Sequence, residues 1–147
     1  MQNSKTIWIT GASSGIGEAC AYQFAKEKFN LILTATRVDK LQEVQCTCVN
    51  LGARCVIIPY DLSDLENIDE LTDNALAAFG KIDTLFLNAG ISQRSKTLDT
   101  SFSVDEKIMN VNFFAPVKIT KRILPSMIEN GGGTIAVTSS ISGKFGF

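Results

Sequence analysis

The chain has 147 residues, a net charge of −1 and 45% apolar residues, so it is sized for a single domain with a sizeable core. Charges of mixed sign argue against nucleic acid or an anionic membrane surface as a partner, and no apolar run approaches the ~18 residues of a membrane span. Histidine is absent, which excludes Ser-His-Asp and Cys-His catalysis within these residues.

The first five residues lead directly into the apolar run Thr6-Ile7-Trp8-Ile9, rich in β-branched side chains and expected to be a buried strand. They carry no signal-peptide pattern, so the expectation is a cytoplasmic protein. The strand runs into Thr10-Gly11-Ala12-Ser13-Ser14-Gly15-Ile16-Gly17. After it, Ile16, Cys20 and Phe24 recur at i, i+4 and i+8 with Ala21 and Ala25 beside them, predicting a helix with that face toward the core. A glycine-rich turn between a first strand and a first helix is a place for phosphate. Gly11 permits the tight turn, Gly15 removes a Cβ where a pyrophosphate must approach backbone, and Gly17 lets helix and strand pack closely. The unpaired N–H groups of the helix's first turn then face the anion. The alternative is a glycine-rich turn with no ligand.

Residues 31–35 form the second expected strand, and Arg37 follows it. A helix over 39–51 places Leu41, Val44 and Cys48 on one face and ends at Gly52. Residues 55–58 are the third strand, followed by Tyr60-Asp61-Leu62-Ser63. Ser63-Asp64-Leu65-Glu66 fits a capping box opening a helix with Ile68, Leu71, Ala75 and Phe79 inward, stopping at Gly80. Residues 83–87 are the fourth strand, ending in Asn88-Ala89-Gly90. A polar loop over 92–100 precedes a second capping box at Ser103-Val104-Asp105-Glu106, which opens a long helix to about Glu129. Inside it, Pro116 lies four residues after Asn112 and has no N–H, so the Asn112 carbonyl lacks its i+4 donor. The helix is expected to bend there and turn that carbonyl toward a cleft; the plainer reading is a kink filled by neighbouring side chains. Gly131-Gly132-Gly133 is a turn, residues 134–138 the fifth strand, and Ser139-Ser140 follows it.

Of the four cysteines, Cys20 and Cys55 read as small buried apolar residues, and Cys46-Thr47-Cys48 as free thiols of a reduced compartment rather than a metal site. Strands alternating with helices predict a parallel α/β sheet. Right-handed crossovers give a doubly wound, Rossmann-type order 3-2-1-4-5 across one domain, residues 1–147. Ligand then belongs in the crevice at the carboxyl ends of strands one and four.

The spacing T-G-x-x-x-G-x-G resembles the fingerprint of the short-chain dehydrogenase/reductase family, and four later motifs follow in that family's order. The resemblance implies a carbonyl–alcohol oxidoreductase with a small-molecule substrate, hydride supplied by a nicotinamide dinucleotide, and a homo-oligomeric full-length protein. It implies cofactor contacts at Gly11, Ser13, Ser14, Gly15, Ile16 and Gly17. Thr36 stands where NAD-preferring members carry Asp, and Arg37 after it can pair with a 2′-phosphate, so NADP (NADPH) is expected before NAD. Asp61 and Leu62 match the pair that holds the adenine. Asn88, Ala89 and Gly90 match the N-A-G element beside the nicotinamide ribose, with Asn88 equally suited to binding backbone across the switch point. Asn112 matches the asparagine of the catalytic tetrad. Ser140 matches the serine that holds the substrate carbonyl, with Ser139 and Ser142 as alternatives.

The family's Y-x-x-x-K is expected roughly a dozen residues after Ser140, beyond residue 147. These residues alone are therefore expected to bind cofactor without turnover, and a catalytically silent nucleotide-binding module is the second reading. Tyr22-Gln23-Phe24-Ala25-Lys26 spells the same motif. It lies on the first helix, where Glu18, Tyr22 and Lys26 are expected to form a solvated ridge. A methyltransferase would also use a glycine-rich first turn but calls for an acidic residue ending strand two, which Thr36-Arg37 does not supply.

Overall fold

The computed structural model describes residues 4–144. Residues 1–3, part of the segment read for a signal-peptide pattern, and residues 145–147 lie outside them. Among the described residues the strands β1 (Thr6–Thr10), β2 (Asn30–Thr34), β3 (Arg54–Ile57), β4 (Thr84–Leu87) and β5 (Thr134–Val137) form one parallel sheet in the order β3-β2-β1-β4-β5. Helices α1 (Gly15–Lys26), α2 (Val38–Asn50) and α3 (Ile68–Phe79) connect the first four strands.

The central strand explains the two-sided core. Side chains alternate across β1. Ile7 and Ile9 pack with Leu31, Leu33 and the inner faces of α1 and α2. Trp8 packs on the other side with Ile32, Leu85 and residues of α3 and α5 (Ala115–Glu129). All of β1 is buried, as a parallel strand covered on both faces must be. The Trp8 indole N–H, which would be costly to bury unpaired, donates to Thr34 Oγ1 at 2.9 Å.

The face of α1 differs from the one expected. Gly17, Ala21 and Ala25 are its buried residues, while Ile16 is 60% exposed. Cys20 and Phe24 are half-buried beside that face. Small residues win the sheet-facing positions because α1 lies close on β1. A Cβ on Gly17 would sit 2.3 Å from the Gly11 carbonyl oxygen. Tyr22 is not fully solvated either. It is half-buried against the α1–α2 side of the core, and its hydroxyl donates to Glu18 Oε1 at 2.7 Å.

Both expected capping boxes give way to other local bonds. Helix α3 starts at Ile68 with Asn67 as its N-cap. Upstream, Ser63 N–H donates to Asp61 Oδ1 and Glu66 N–H to Asp64 Oδ1, each at 2.9 Å, so two Asx turns use the groups a capping box would have taken. Helix α4 (Phe102–Met109) starts one residue before Ser103, with Ser101 as N-cap.

The long helix runs unbroken from Phe102 to Glu129 but is not α-helical throughout. Between α4 and α5 lies a π-helical turn, Asn110–Phe114, in which Ala115 N–H donates to the Asn110 carbonyl, five residues back. Pro116 stands just beyond, the second residue of α5, and has no N–H to offer the preceding turn. The backbone accommodates the proline by widening one turn.

Candidate functional site

A cleft of about 610 Å³ opens at the carboxyl ends of the strands. Its lining includes Gly11, Ser13 and Ser14 of the glycine-rich turn, Thr36 and Arg37 after β2, Asp61 and Leu62 after β3, and Asn88, Ala89 and Gly90 after β4. It also includes Tyr60, Ile91, Lys107 and Val111. Gly15, Ile16 and Gly17 form the first turn of α1. Asn112 and Ser140 are not among the lining residues.

The glycines of the turn do three different things. Gly11 has φ +67°, and a Cβ there would fall 2.8 Å from Ala89 Cα. Two chain segments that end neighbouring strands thus meet backbone to backbone. Gly15 has φ +58° and open space where its Cβ would be. The Ser14 side chain, at the N-cap, makes no capping hydrogen bond. The first turn of α1 therefore presents unpaired N–H groups beside a glycine with no side chain over it. Gly17 is the contact with Gly11 noted above.

Arg37 reaches back from the end of β2 to this turn. Its Nη2 donates to Ser13 Oγ at 3.3 Å and lies 3.5 Å from the Ser13 carbonyl oxygen. A guanidinium and a hydroxyl thus share one corner of the cleft, with no acidic side chain at the strand's end.

Asn88 and Thr10 lock the switch point. Thr10 Oγ1 accepts from both Asn88 N–H and Ala89 N–H at 3.1 Å. The Asn88 side chain donates to the Gly11 carbonyl at 3.3 Å and accepts from Thr138 Oγ1 at 2.8 Å. One amide therefore ties the glycine-rich turn to the chain leaving β5.

Asn112 does the same for the N-A-G end. Its Oδ1 accepts from Ile91 N–H at 2.9 Å and its Nδ2 donates to the Ile91 carbonyl at 2.8 Å. Both halves of the amide are used on one residue's backbone. The π turn presents Asn112 to the residue that follows Gly90.

Asp61 lies beyond the end of β3, where the pairing with β2 continues in single bonds: Ile58 N–H to Leu33 O and Tyr60 N–H to Ala35 O. The Ser63 backbone N–H bound to Asp61 Oδ1 is the main cause holding its carboxyl below the usual value, and the Ser63 hydroxyl and Lys107 act in the same direction against burial. Tyr60, whose hydroxyl donates to the Asp64 carbonyl at 2.8 Å, is pushed up to about 12, first by burial and then by the charge of Asp64.

Ser140 caps a short 3₁₀ turn, Ile141–Gly143. Its Oγ accepts from Ser142 N–H and donates to Ser142 Oγ, both at 3.1 Å. Ser139 and Ser142 are exposed beside it. Tyr22 and Lys26 stand on α1, and neither is among the residues lining the cleft.

Lys107, Tyr60 and Asn110 were not singled out from the sequence. A lysine and an asparagine on a mixed-polarity helix carry no local signal. Their significance comes from a pairing with residues 61 and 63, more than forty positions away.

Known proteins share the sequence pattern and the fold. The short chain dehydrogenase family model matches residues 5–147. The human protein "Dehydrogenase/reductase SDR family member 7" is 42% identical over 141 residues, covering 93% of this chain and 42% of its own length. A metagenomic short-chain oxidoreductase solved in complex with NADP superposes with a TM-score of 0.92 at 31% identity, covering 97% of this chain and 65% of that one. An alcohol dehydrogenase from the archaeon Thermococcus sibiricus, complexed with 5-hydroxy-NADP, gives 0.88 at 29% identity over 97% of this chain and 61% of its own. With the sheet order and the motifs at its strand ends, these matches place the chain in the short-chain dehydrogenase family. It spans less than half the length of the human relative.

Proposed function

We propose that this chain is the cofactor-binding portion of an NADP(H)-dependent oxidoreductase that interconverts a carbonyl and an alcohol on a small-molecule substrate. The observation that carries the reading is Arg37 set against Ser13 at the end of β2. A guanidinium beside a hydroxyl suits a 2′-phosphate, whereas a ribose 2′-hydroxyl calls for the carboxylate that is missing there. Two of the structurally similar proteins were solved with NADP or a derivative of it, which supports the same choice.

The residues present fit a dinucleotide. The open space over Gly15 and the free N–H groups of the first turn of α1 suit a pyrophosphate. Asp61 offers an acceptor for an adenine amine, and Leu62 an apolar flank. When bound, the nicotinamide dinucleotide supplies the hydride chemistry. This chain's own residues bind and orient. Asn112 holds Ile91 and so fixes the backbone after Gly90. Ser140 Oγ, held by the Ser142 N–H, would turn its proton from Ser142 Oγ to a substrate carbonyl.

Equilibrium titration of the full-length protein with NADPH and NADH tests the assignment. NADPH is expected to bind more tightly; equal affinity would overturn the cofactor choice. Turnover with a panel of ketones and aldehydes tests the activity, and tight NADPH binding without turnover would favour the silent nucleotide-binding module.

A further inference from the structure

Asp61 has two carboxylate oxygens in unequal states. Oδ1 is occupied, accepting from Ser63 N–H at 2.9 Å and Ser63 Oγ at 2.8 Å. Oδ2 faces Lys107 Nζ at 3.8 Å. Ser63 is itself held, because its carbonyl accepts from Asn110 Nδ2 at 3.3 Å. Lys107 and Asn110 are three residues apart where α4 passes into the π turn, so they share one face of that helix. Lys107, Val111, Asp61 and Leu62 all line the cleft.

The Lys107 contact has no strong claim as a stabiliser. The Lys107–Asp61 pair has both side chains more than half exposed, where such pairs are worth little. The loop has a separate anchor in Lys118, which donates to the Leu65 carbonyl. What the contacts do define is an asymmetry: one oxygen of Asp61 is tied back to its own loop, and the other stands beside the Lys107 ammonium, both residues lining the cleft.

We propose that Lys107 and Asn110 act as a positioning clamp that sets Asp61 Oδ2 for a base with an exocyclic amine, making the cleft selective for adenine over hypoxanthine. The inference rests on the dinucleotide reading above and deepens it. A carboxylate only accepts hydrogen bonds. An adenine amine donates to it, whereas the hypoxanthine carbonyl at the same position would set oxygen against oxygen. Discrimination of that kind depends on the carboxylate being held in one orientation. A freely turning Asp61 could move away from the mismatch.

The test is equilibrium binding of NADPH and of reduced nicotinamide hypoxanthine dinucleotide phosphate to the full-length protein. The wild type is expected to prefer the adenine form by about tenfold, the scale of one charged hydrogen bond. Asn110→Ala and Lys107→Met should each reduce that ratio by about threefold or more. Lys107 is exposed, so Lys107→Met keeps the test open if Asn110→Ala fails to fold. A folded variant of either kind that retains the wild-type ratio overturns the clamp, as does a wild type that does not distinguish the bases. Failure of the wild type to bind NADPH at all would instead overturn the dinucleotide reading, and the clamp with it.

Discussion

Thr138 Oγ1 donates to Asn88 Oδ1 at 2.8 Å, while the other end of the same amide donates to the Gly11 carbonyl at 3.3 Å. Asn88 is thus a bridge between β5 and the glycine-rich turn, with its own backbone N–H held by Thr10. Each end of the bridge is a neutral hydrogen bond, individually modest but shared by three segments that shape the cleft.

Asn88→Ala should therefore cost about 1–2 kcal/mol of unfolding free energy, and Thr138→Val about 0.5–1 kcal/mol. The two residues touch, so the double variant should lose about 0.5 kcal/mol less than the sum. Urea unfolding of the four proteins measures it. Strict additivity would mean that the Asn88–Thr138 bond contributes nothing.

Gly15 and Gly17 are two residues apart and should respond differently to alanine. At Gly17 a Cβ would lie 2.3 Å from Gly11 O and 2.7 Å from Asn88 Nδ2, so Gly17→Ala should destabilise by about 1–3 kcal/mol through overpacking. At Gly15 a Cβ meets nothing, and only φ +58° is unfavourable, at about 1–2 kcal/mol. Gly15→Ala should fold and yet bind NADPH markedly less well, because its methyl enters the space proposed for the pyrophosphate. Melting curves and a binding titration of both variants check this. Wild-type NADPH affinity in Gly15→Ala would remove the pyrophosphate from that turn.

These differences show what was legible in the chain. The sheet order followed from strand–helix alternation, because apolar strand segments and Gly52 and Gly80 at helix ends are local signals. The residues of the cleft were legible where a motif sits at a strand's carboxyl end, as with Gly11, Arg37, Asp61 and Asn88. Ile16 was misplaced because apolar periodicity ignores the close α1–β1 contact, which favours glycine and alanine. The Ser63 box does not form because Asx turns at Asp61 and Asp64 take its N–H groups, and the Ser103 box does not because the helix already begins at Phe102 and carries Ser103 inside its first turn. Pro116 signalled a disturbed helix, but not that the chain would answer with a π turn placing Asn112 on Ile91. That pairing depends on packing between elements 21 residues apart.

Arg37→Ala should remove roughly 1.5–3 kcal/mol of the preference for NADPH over NADH, the range of a hydrogen bond to a charged group. Arg37 is exposed. Raised salt should therefore narrow the wild-type preference and leave the variant little changed. Titrations of both cofactors at low and high ionic strength supply the comparison. An NADPH/NADH ratio that survives the substitution would assign the 2′-phosphate elsewhere.

Asp83 provides a pH dependence at the opposite end of the sheet. Its Oδ2 accepts from Thr6 N–H at 2.7 Å and its Oδ1 from Lys81 Nζ at 2.9 Å. Its backbone N–H donates to the Thr6 carbonyl and its carbonyl accepts from Thr134 N–H, so it joins the starts of β1, β4 and β5. Burial pushes its carboxyl up, but the hydrogen bonds from Lys81 and Thr6 outweigh that and leave it below the ordinary 3.8. A carboxylate with a depressed folded value adds stability that is complete above its unfolded value and is lost as pH falls through the folded one. The penalty of Asp83→Asn should accordingly be constant near neutrality and shrink below about pH 4, where the carboxyl of the unfolded wild-type chain takes up its proton before the folded one does. Asp61, Asp64 and Asp73 are lowered as well, so the wild-type profile alone is a sum, and the wild-type-minus-variant difference isolates Asp83. Urea midpoints of both proteins between about pH 7 and pH 3 give that difference. A penalty that stays the same size at the acid end would mean the Thr6 and Lys81 bonds do not depend on the charge.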